Sequence, residues 1–381
     1  IATTLLEDMT DVVICGFSRS PFTPAHMGGL SKIRPDDLAA QVVKGLIEKT
    51  GIKKEDVEDL ILGCAFPEGE QGMNLARNVV FLSGLPNSVG GVTVNRFCAS
   101  SMQAIHQAAG SIISGSGDVF IAAGVESMSR VPMGGFNPMM NPSLVDLDAY
   151  IGMGHTAENL AKKYSIPRER QEEMALSSHQ KAGEAISNNS FDEEIVSIGD
   201  ISQDGCVRSD TNLDSMAKLK PAFDKGGVVT AATSSPLTDG AAAVLVCSEK
   251  YAKDNNLNIM AYIRGMAISG CDPDIMGIGP VLSSMKALDR AGLKLSDMDF
   301  IEMNEAFAAQ SLACIDELGV DMNKLNVHGG AIAMGHPLGA SGARITGKAA
   351  SLLYNSDKKY ALSTMCVGGG QGCATVLERA K

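Results

Sequence analysis

The sequence has no tryptophan, and aromatic residues fill only 4% of its 381 positions. Glycine is abundant instead, with 41 residues. Small residues in such number point to tight turns and close backbone packing. No G-x-y period runs through them, which excludes a collagen-like fibre. No long polar tract occurs and 45% of the residues are hydrophobic, so the composition is not that of a disordered chain. Basic charge is in deficit. The 32 basic residues face 44 acidic ones, a net charge of −12, which argues against nucleic acid as the main partner. An anionic small ligand needs only a local basic patch and stays open.

The nine cysteines form no C-x-x-C pair and no His/Cys cluster at zinc spacing, so no metal site is indicated. They read as buried small apolar residues or as the reduced thiols of a cytoplasmic protein. No apolar run reaches the roughly 18 residues of a membrane span. The first ten residues hold Glu7 and Asp8 and lack an Arg-rich amphipathic pattern, so they do not read as a secretory or mitochondrial signal. The chain opens on Ile1 rather than Met, which leaves a removed leader open. At roughly 100–200 residues per domain, the length is that of two domains or three small ones.

What the chain does have is an internal repeat. Gly51 falls on Gly292, Lys53 on Lys294, Asp56 on Asp297 and Ala65-Phe66 on Ala306-Phe307, always at an offset of 241 residues. Cys98-Ala-Ser100 then falls on Gly339-Ala-Ser341, and the apolar run 119–124 on 360–365, at the same offset. Each half reads as a helix with apolar positions such as Leu38, Val42, Val43 and Leu46, ending at a glycine, followed by an apolar strand, a second helix and another strand. That alternation predicts α/β sheets covered by helices. The first half carries an extra 109 residues: Val125 and Gly240 lie 115 apart, their counterparts Cys366 and Gly372 only 6. Insertions of this length are usually lids or binding domains. This one contains a charged helical stretch near Thr156–Ser178, interrupted at Pro167.

Four segments carry chemistry. In Asn95-Arg-Phe-Cys98-Ala-Ser-Ser a thiol stands where an apolar strand (91–94) meets a helix. A helix N-terminus lowers a thiol pKa through its dipole and free N–H groups, which makes Cys98 a candidate nucleophile. On local chemistry alone, a small buried residue at a tight corner is the plainer reading. In the Gly-rich run 329–342, His336 is held between Gly335 and Pro337 ahead of a helix. A positioned histidine is the commonest base for a cysteine nucleophile. The run has neither G-x-G-x-x-G after a strand nor a P-loop lysine, so a phosphate cradle is not indicated. Asn95 falls on His336 at the repeat offset, so two symmetric helix starts could face one site.

In Thr364-Met-Cys366-Val-Gly-Gly-Gly-Gln-Gly372 a second thiol precedes glycines whose N–H groups can bind an oxyanion, or which merely turn the chain between two strands. In Glu302-Met-Asn304-Glu305-Ala-Phe307, polar groups end a buried strand. They are functional, or Asn304 is a helix cap and Phe307 core.

Taken together, the nucleophile segment, Asn-Glu-Ala-Phe, Gly-His-Pro and Cys-Val-Gly resemble one family over essentially the whole chain: the thiolases, acetyl-CoA acyltransferases. The resemblance implies duplicated βαβαβαββ halves in an α-β-α-β-α layered sandwich with an inserted loop domain. The units would be residues 1–126 with 237–258, the coenzyme A-binding insertion 127–236, and residues 259–381. It implies that Cys98 takes the acyl group, that His336 activates it and that Cys366 exchanges protons with acetyl-CoA or CoA. Asn304 would hold a water that, with His336, stabilises one thioester oxyanion, and the N–H groups of Cys98 and Gly368 would form a second oxyanion hole. Arg208, Ser215 and Leu219 would line the nucleotide end of CoA, Ser235 would contact the pantetheine, and Met153, Met276 and Phe307 would surround the thioester.

CoA is a co-substrate in this family, and no permanently bound cofactor or metal is implied. Gly152 stands before Met153 where biosynthetic members often carry histidine. That leaves room for a longer acyl chain and, with the segments 72–78 and 271–279, makes the chain look closest to bacterial fatty-acid β-oxidation thiolases. The expected reaction is thiolysis of 3-ketoacyl-CoA. The alternatives are a biosynthetic acetoacetyl-CoA thiolase and a non-catalytic acyl-CoA or lipid carrier. A decarboxylating ketosynthase would carry a second histidine where Cys366 stands. Expected partners are further copies, as homodimer or homotetramer paired through the apolar run 115–124, and an α-subunit of a β-oxidation complex.

Overall fold

In this computed structural model, residues 10–380 are described, so all of the N-terminal stretch read for signal character except Thr10 lies outside them. The first half comprises β1 (Val12–Arg19), β2 (Thr23–Pro24), α1 (Pro35–Thr50), β3 (Asp59–Gly63), α2 (Leu75–Leu82), β4 (Gly90–Val94), α3 (Ser100–Ile113) and β5 (Val119–Ser127). The insertion supplies α4 (Pro142–Val145), α5 (Met153–Lys163), α6 (Arg168–Ser187) and α7 (Leu213–Ala217). Strand β6 (Thr238–Ser248) and α8 (Glu249–Asp254) complete that half. The second half runs β7 (Ala261–Gly270), α9 (Gly279–Arg290), β8 (Phe300–Met303), α10 (Ala308–Leu318), α11 (Ala331–Met334), α12 (Leu338–Tyr354), β9 (Tyr360–Val367) and β10 (Gln371–Arg379).

The 241-residue offset places the starts of β3 on β8 and of β5 on β9. It fails at β4, whose counterpart is the short helix α11. Helix α1 shows how the sequence sets an element. Pro35 occupies its first turn with Asp36 and Asp37, Lys49 sits in the last turn, and Gly51 closes it at φ 66°. Its apolar stripe of Leu38, Val42, Val43 and Leu46 is buried as the periodicity predicts. In the insertion, Pro167 ends the link after α5 and caps α6.

The strands follow the order β4-β3-β5-β6-β1-β7-β10-β9-β8. β3 lies parallel to β4 and β5, and β8 parallel to β9, while the remaining neighbours are antiparallel. β1 and β7 meet over only two residue pairs, Val13 with Tyr262 and Ile14 with Ala261, so within the sheet the halves touch at a narrow seam. α1 and α2 cover the outer face of the first half, and α9 that of the second. α3 and α12 pack on each other and on strands of both halves, which gives the α-β-α-β-α layering. A helix in that middle layer meets protein on every side, and α12 is buried nearly all round. Its small residues let it approach α3 and the sheet. A Cβ on Gly339 would lie 2.5 Å from the carbonyl oxygen of Val125, and one on Gly342 2.3 Å from the backbone nitrogen of Met102.

The run 115–124 has no free strand edge with which to pair across a twofold axis. It feeds β5, which is hydrogen-bonded on both edges, to β3 and β6. Its apolar side chains are buried core, and the free edge of this half is β4, where four of five residues are half-buried. Among the described residues no helix is long and apolar enough to cross a membrane.

Candidate active site

The nucleophile turn connects β4 to α3. Phe97 adopts φ 40°, a left-handed conformation that typically costs on the order of 1 kcal/mol or more for a non-glycine residue. Three hydrogen bonds hold it there. Its N–H donates to Asn95 Oδ1 (2.8 Å), the Ser100 hydroxyl donates to its carbonyl (2.6 Å), and that same hydroxyl accepts from the Arg96 N–H (2.9 Å). Cys98 follows at the head of α3 and is 7% exposed. Burial pushes its thiol up to about 11, against the backbone N–H groups of Gly368 and Cys98 itself, which favour the thiolate. The helix start therefore does not give a standing thiolate. Desolvation outweighs the dipole, and the thiol needs a base.

The base comes from the other half. Gly335 has φ 98°, and a Cβ there would lie 2.5 Å from Thr238 Oγ1, so both conformation and space demand glycine. Thr238 Oγ1 accepts the His336 N–H at 3.0 Å. The imidazole lies between Ser341 Oγ on Nδ1 (2.5 Å) and Asn304 Nδ2 on Nε2 (3.3 Å). Burial, with Arg344 nearby, lowers its pKa to about 3, so the ring is neutral at ordinary pH. Asn304 does not cap α10, whose N-cap is Phe307. Its N–H donates to the Thr364 carbonyl at 3.0 Å, and its buried Oδ1 has no partner among the described residues. A buried acceptor left unmatched can take a hydrogen bond from a bound molecule. Glu305 braces the loop before His336, accepting from Ser178 Oγ (2.7 Å), Asn326 Nδ2 (2.9 Å) and the Ile332 N–H (3.2 Å).

Cys366, at the end of β9, is fully buried, and burial followed by the neighbouring Cys98 holds its thiol well above the ordinary range. The glycine turn is more than a plain link between strands. The Gly368 N–H favours the Cys98 thiolate, and a Cβ on Gly368 would stand 3.6 Å from Met153 Sδ and 3.7 Å from Phe97 Cδ2. Met153, Met276 and Phe307 pack in one cluster with Cys366. Cys98, Cys366, Gly368, Met153, Met276 and Phe307 thus lie together, and Asn304, paired with His336, bonds to β9 two residues before Cys366.

The residues expected around CoA lie farther out. Ser235 is adjacent: its N–H donates to the Ala306 carbonyl at 3.0 Å. Arg208 and Leu219 are exposed, and the Arg208 backbone N–H donates to His179 Nδ1 at 3.1 Å. The Ser215 hydroxyl is committed to the cap of α7, accepting from the Asn212 N–H and donating to its carbonyl. Phe223 links this outer lip to the interior, with its ring 5.8 Å from that of Phe307 and 6.4 Å from His155. A Cβ on Gly154 would come 2.2 Å from the Phe223 ring.

Sequence reading missed Ser341, Thr238, Phe223 and Glu126. Buried Glu126 accepts from the N–H groups of Ala65 (2.8 Å), Phe66 (3.1 Å) and Gly339 (2.8 Å), so it ties the start of α12 to the loop after β3. Ser341 stood in view as the repeat partner of Ser100, five residues beyond His336, on the adjoining helical turn. The other three had no local signal.

The thiolase N-terminal domain model matches residues 12–250 and the thiolase C-terminal domain model residues 257–379. A curated protein of Colwellia psychrerythraea named 3-ketoacyl-CoA thiolase is 46% identical, with 97% of this chain and 100% of that one covered. The crystal structure of human mitochondrial 3-ketoacyl-CoA thiolase in complex with CoA superposes with TM-score 0.90 at 37% identity, covering 98% of this chain and 99% of that one. The crystal structure of the Bacillus anthracis acetyl-CoA acetyltransferase does so with TM-score 0.90 at 38% identity and the same coverage. With both family models matched, this fold and this set of side chains in place, the chain belongs to the thiolase family.

Proposed function

We propose that the chain is an acyltransferase that cleaves 3-ketoacyl-CoA with free CoA, giving acetyl-CoA and an acyl-CoA shortened by two carbons. One observation carries the reading. A buried thiol whose ionised form the Gly368 N–H favours has a second buried thiol beside it, and a neutral imidazole paired with an amide is hydrogen-bonded to the strand that carries that second thiol. In this reading His336 Nε2 takes the Cys98 proton and the sulfur attacks the 3-keto carbon. The resulting oxyanion rests on the N–H groups of Cys98 and Gly368. Collapse breaks the C2–C3 bond and leaves an acyl group on Cys98. The departing enolate of acetyl-CoA takes a proton from Cys366, while Asn304, through a water, and His336 hold its oxygen. The Cys366 thiolate then takes the proton of CoA, whose sulfur attacks the acyl-enzyme. Cys98 leaves and recovers its proton from His336. The low pKa of His336 favours that return.

We assign CoA to the insertion 127–236, with residues 1–126 and 237–258, and 259–381, as the two halves that form the reaction centre. Arg208 and Leu219 would meet the nucleotide end, Ser215 would brace the turn that presents Leu219, Ser235 would meet the pantetheine, and Met153, Met276 and Phe307 the thioester. The likeness to an acetyl-CoA acetyltransferase keeps the biosynthetic direction as the competing reading. Gly152, which puts no side chain beside Met153, favours the degradative one. We further infer a homodimer or homotetramer, with room for an α-subunit of a β-oxidation complex. The unpaired edge of β4 and the exposed Phe136, Met139 and Leu147 of the insertion support it. A reducing, cytoplasmic setting accords with nine cysteines that all stand as free thiols.

The test is thiolysis of acetoacetyl-CoA and of a long-chain 3-ketoacyl-CoA with free CoA, followed by mass spectrometry of the Cys98 peptide. Turnover of the long substrate through an acyl-Cys98 species is expected. Turnover of neither substrate rejects the proposal. Sedimentation at micromolar concentration that shows only monomer rejects the assembly.

A further inference from the structure

The two N–H groups assigned to the second oxyanion come from opposite halves of the chain, Cys98 from the turn before α3 and Gly368 from the turn between β9 and β10. An oxyanion needs its donors within about 2.7–3.1 Å, so these two turns must keep a fixed relation. The turn after Cys366 carries no side chain across three successive glycines, Gly369 and Gly370 sit at φ 79° and 83°, and the Gly370 carbonyl accepts from the Cys271 N–H at 2.8 Å. A cross-link is nevertheless present. Arg96, two residues before Cys98, donates from Nη1 to Gln371 Oε1 at 2.7 Å and from Nε to Gln103 Oε1 on α3 at 2.8 Å. Gln371, three residues after Gly368, donates from Nε2 to the Gly368 carbonyl at 3.4 Å. Its backbone is pinned as well, paired with Val367 on β9 and Gly270 on β7.

We propose that Arg96 and Gln371 are a positioning pair that holds the Gly368 turn against the Cys98 turn and so sets the second oxyanion hole. The guanidinium fixes the Gln371 amide with its oxygen toward the first half, which aims its N–H at the Gly368 carbonyl. The inference rests on the thiolase reading of Cys98 and Gly368. Neither residue is assigned a proton or a bond to substrate. Both act through the two backbone turns.

The variants are Arg96→Met, Gln371→Met, their double, and Gln371→Glu, which keeps an acceptor for Arg96 and loses only the N–H given to Gly368. Thiolysis kcat is expected to fall about 10- to 100-fold in each, less than the 100- to 1,000-fold typical of removing an oxyanion donor itself, with KM within about twofold. The double variant should be no slower than the slower single, because the two side chains act as one link. Rapid-quench acylation of Cys98 should slow in proportion. Exchange of acetyl-CoA methyl hydrogens with deuterated water, which draws on Cys366, His336 and Asn304, should stay within about twofold of wild type. Unchanged kcat in the single variants overturns the proposal. So does an equal fall in acylation and exchange, which marks general loosening of the site. A wild-type protein that never acylates Cys98 removes the underlying reading instead.

Discussion

His336 Nδ1 lies 2.5 Å from Ser341 Oγ, and that hydroxyl donates to the Pro337 carbonyl at 3.0 Å. A hydroxyl that has given its hydrogen to a carbonyl can only accept from the ring, so this network assigns the proton to Nδ1. The Nε2 lone pair is left on the side of Asn304. Ser341→Ala removes the lock. We expect kcat to fall about 10- to 100-fold, the usual range for losing an orienting partner, with the melting temperature nearly unchanged. Steady-state thiolysis beside a thermal melt checks it, and an unchanged kcat would show that the ring is oriented by other contacts.

Cys98 has its thiol pushed up to about 11 by burial. In the free enzyme its alkylation by iodoacetamide should rise about tenfold per pH unit between pH 7 and 10, with no plateau near neutrality. Acyl-CoA should block it. Half-exposed Cys271, raised to about 11 as well, is the competing site and should not be protected. Cys98→Ala should abolish thiolysis; a plateau below pH 8 in the labelling profile would contradict the pKa.

Cys366→Ala separates the two thiols. The variant should still form an acyl-enzyme on Cys98 from a stable acyl-CoA, visible by intact mass, but should lose enolate protonation and hence thiolysis. An absence of acyl-enzyme would dismiss the division of labour.

His106 and His336 are both driven to about 3, chiefly by burial, and His179 and His328 to about 4. Between these values and the ordinary 6.5 the unfolded chain binds more protons than the folded one. Their contribution is therefore fully present above pH 6.5 and is lost as pH falls. Glu302, raised to about 7 by burial, works in the opposite direction between 4.5 and 7. A His106→Gln variant isolates one term: its urea midpoint should depend less on pH between 7 and 5 than that of wild type. Parallel slopes would mean that His106 is not held neutral.

Gly152 has φ −64° and ψ 138°, extended backbone open to any residue, and a Cβ there would meet His155 Cδ2 at 3.3 Å. Substitution therefore tests space rather than conformation. Gly152→His should lower kcat/KM for long 3-ketoacyl chains more than for acetoacetyl-CoA, at up to about 0.8 kcal/mol per methylene kept from burial. Gly152→Ala should affect the two alike and slightly. A strict preference of the wild type for acetoacetyl-CoA would promote the biosynthetic reading.

The halves, their order and the four reactive segments were legible because a repeat and a nucleophile turn are written in consecutive residues. The apolar stripe of α1, its Gly51 stop and the Pro167 break all appear where local pattern puts them. The expected strand pairing through 115–124 finds no free edge, because an apolar run reads the same whether it covers an interface or sits between β3 and β6. The expected low thiol pKa failed because helix position is visible in sequence whereas burial is not. Phe223 and Thr238 escaped notice because their partners lie 84 and 98 residues away in the chain.

The sequence by itself determined the α/β class, the duplication, the insertion and the identity of the two thiols, the histidine and the asparagine. These depend on residue type and spacing, which short-range physics constrains. The tertiary structure decided everything that depends on which half meets which. It packs α3 and the Cys98 turn on α12, which begins two residues after His336, brings the Gly368 turn to Cys98, and buries the site deeply enough to keep both thiols protonated and the imidazole neutral. Desolvation is a property of the surroundings in three dimensions, so the protonation states on which the chemistry runs were fixed only when the two halves closed on each other.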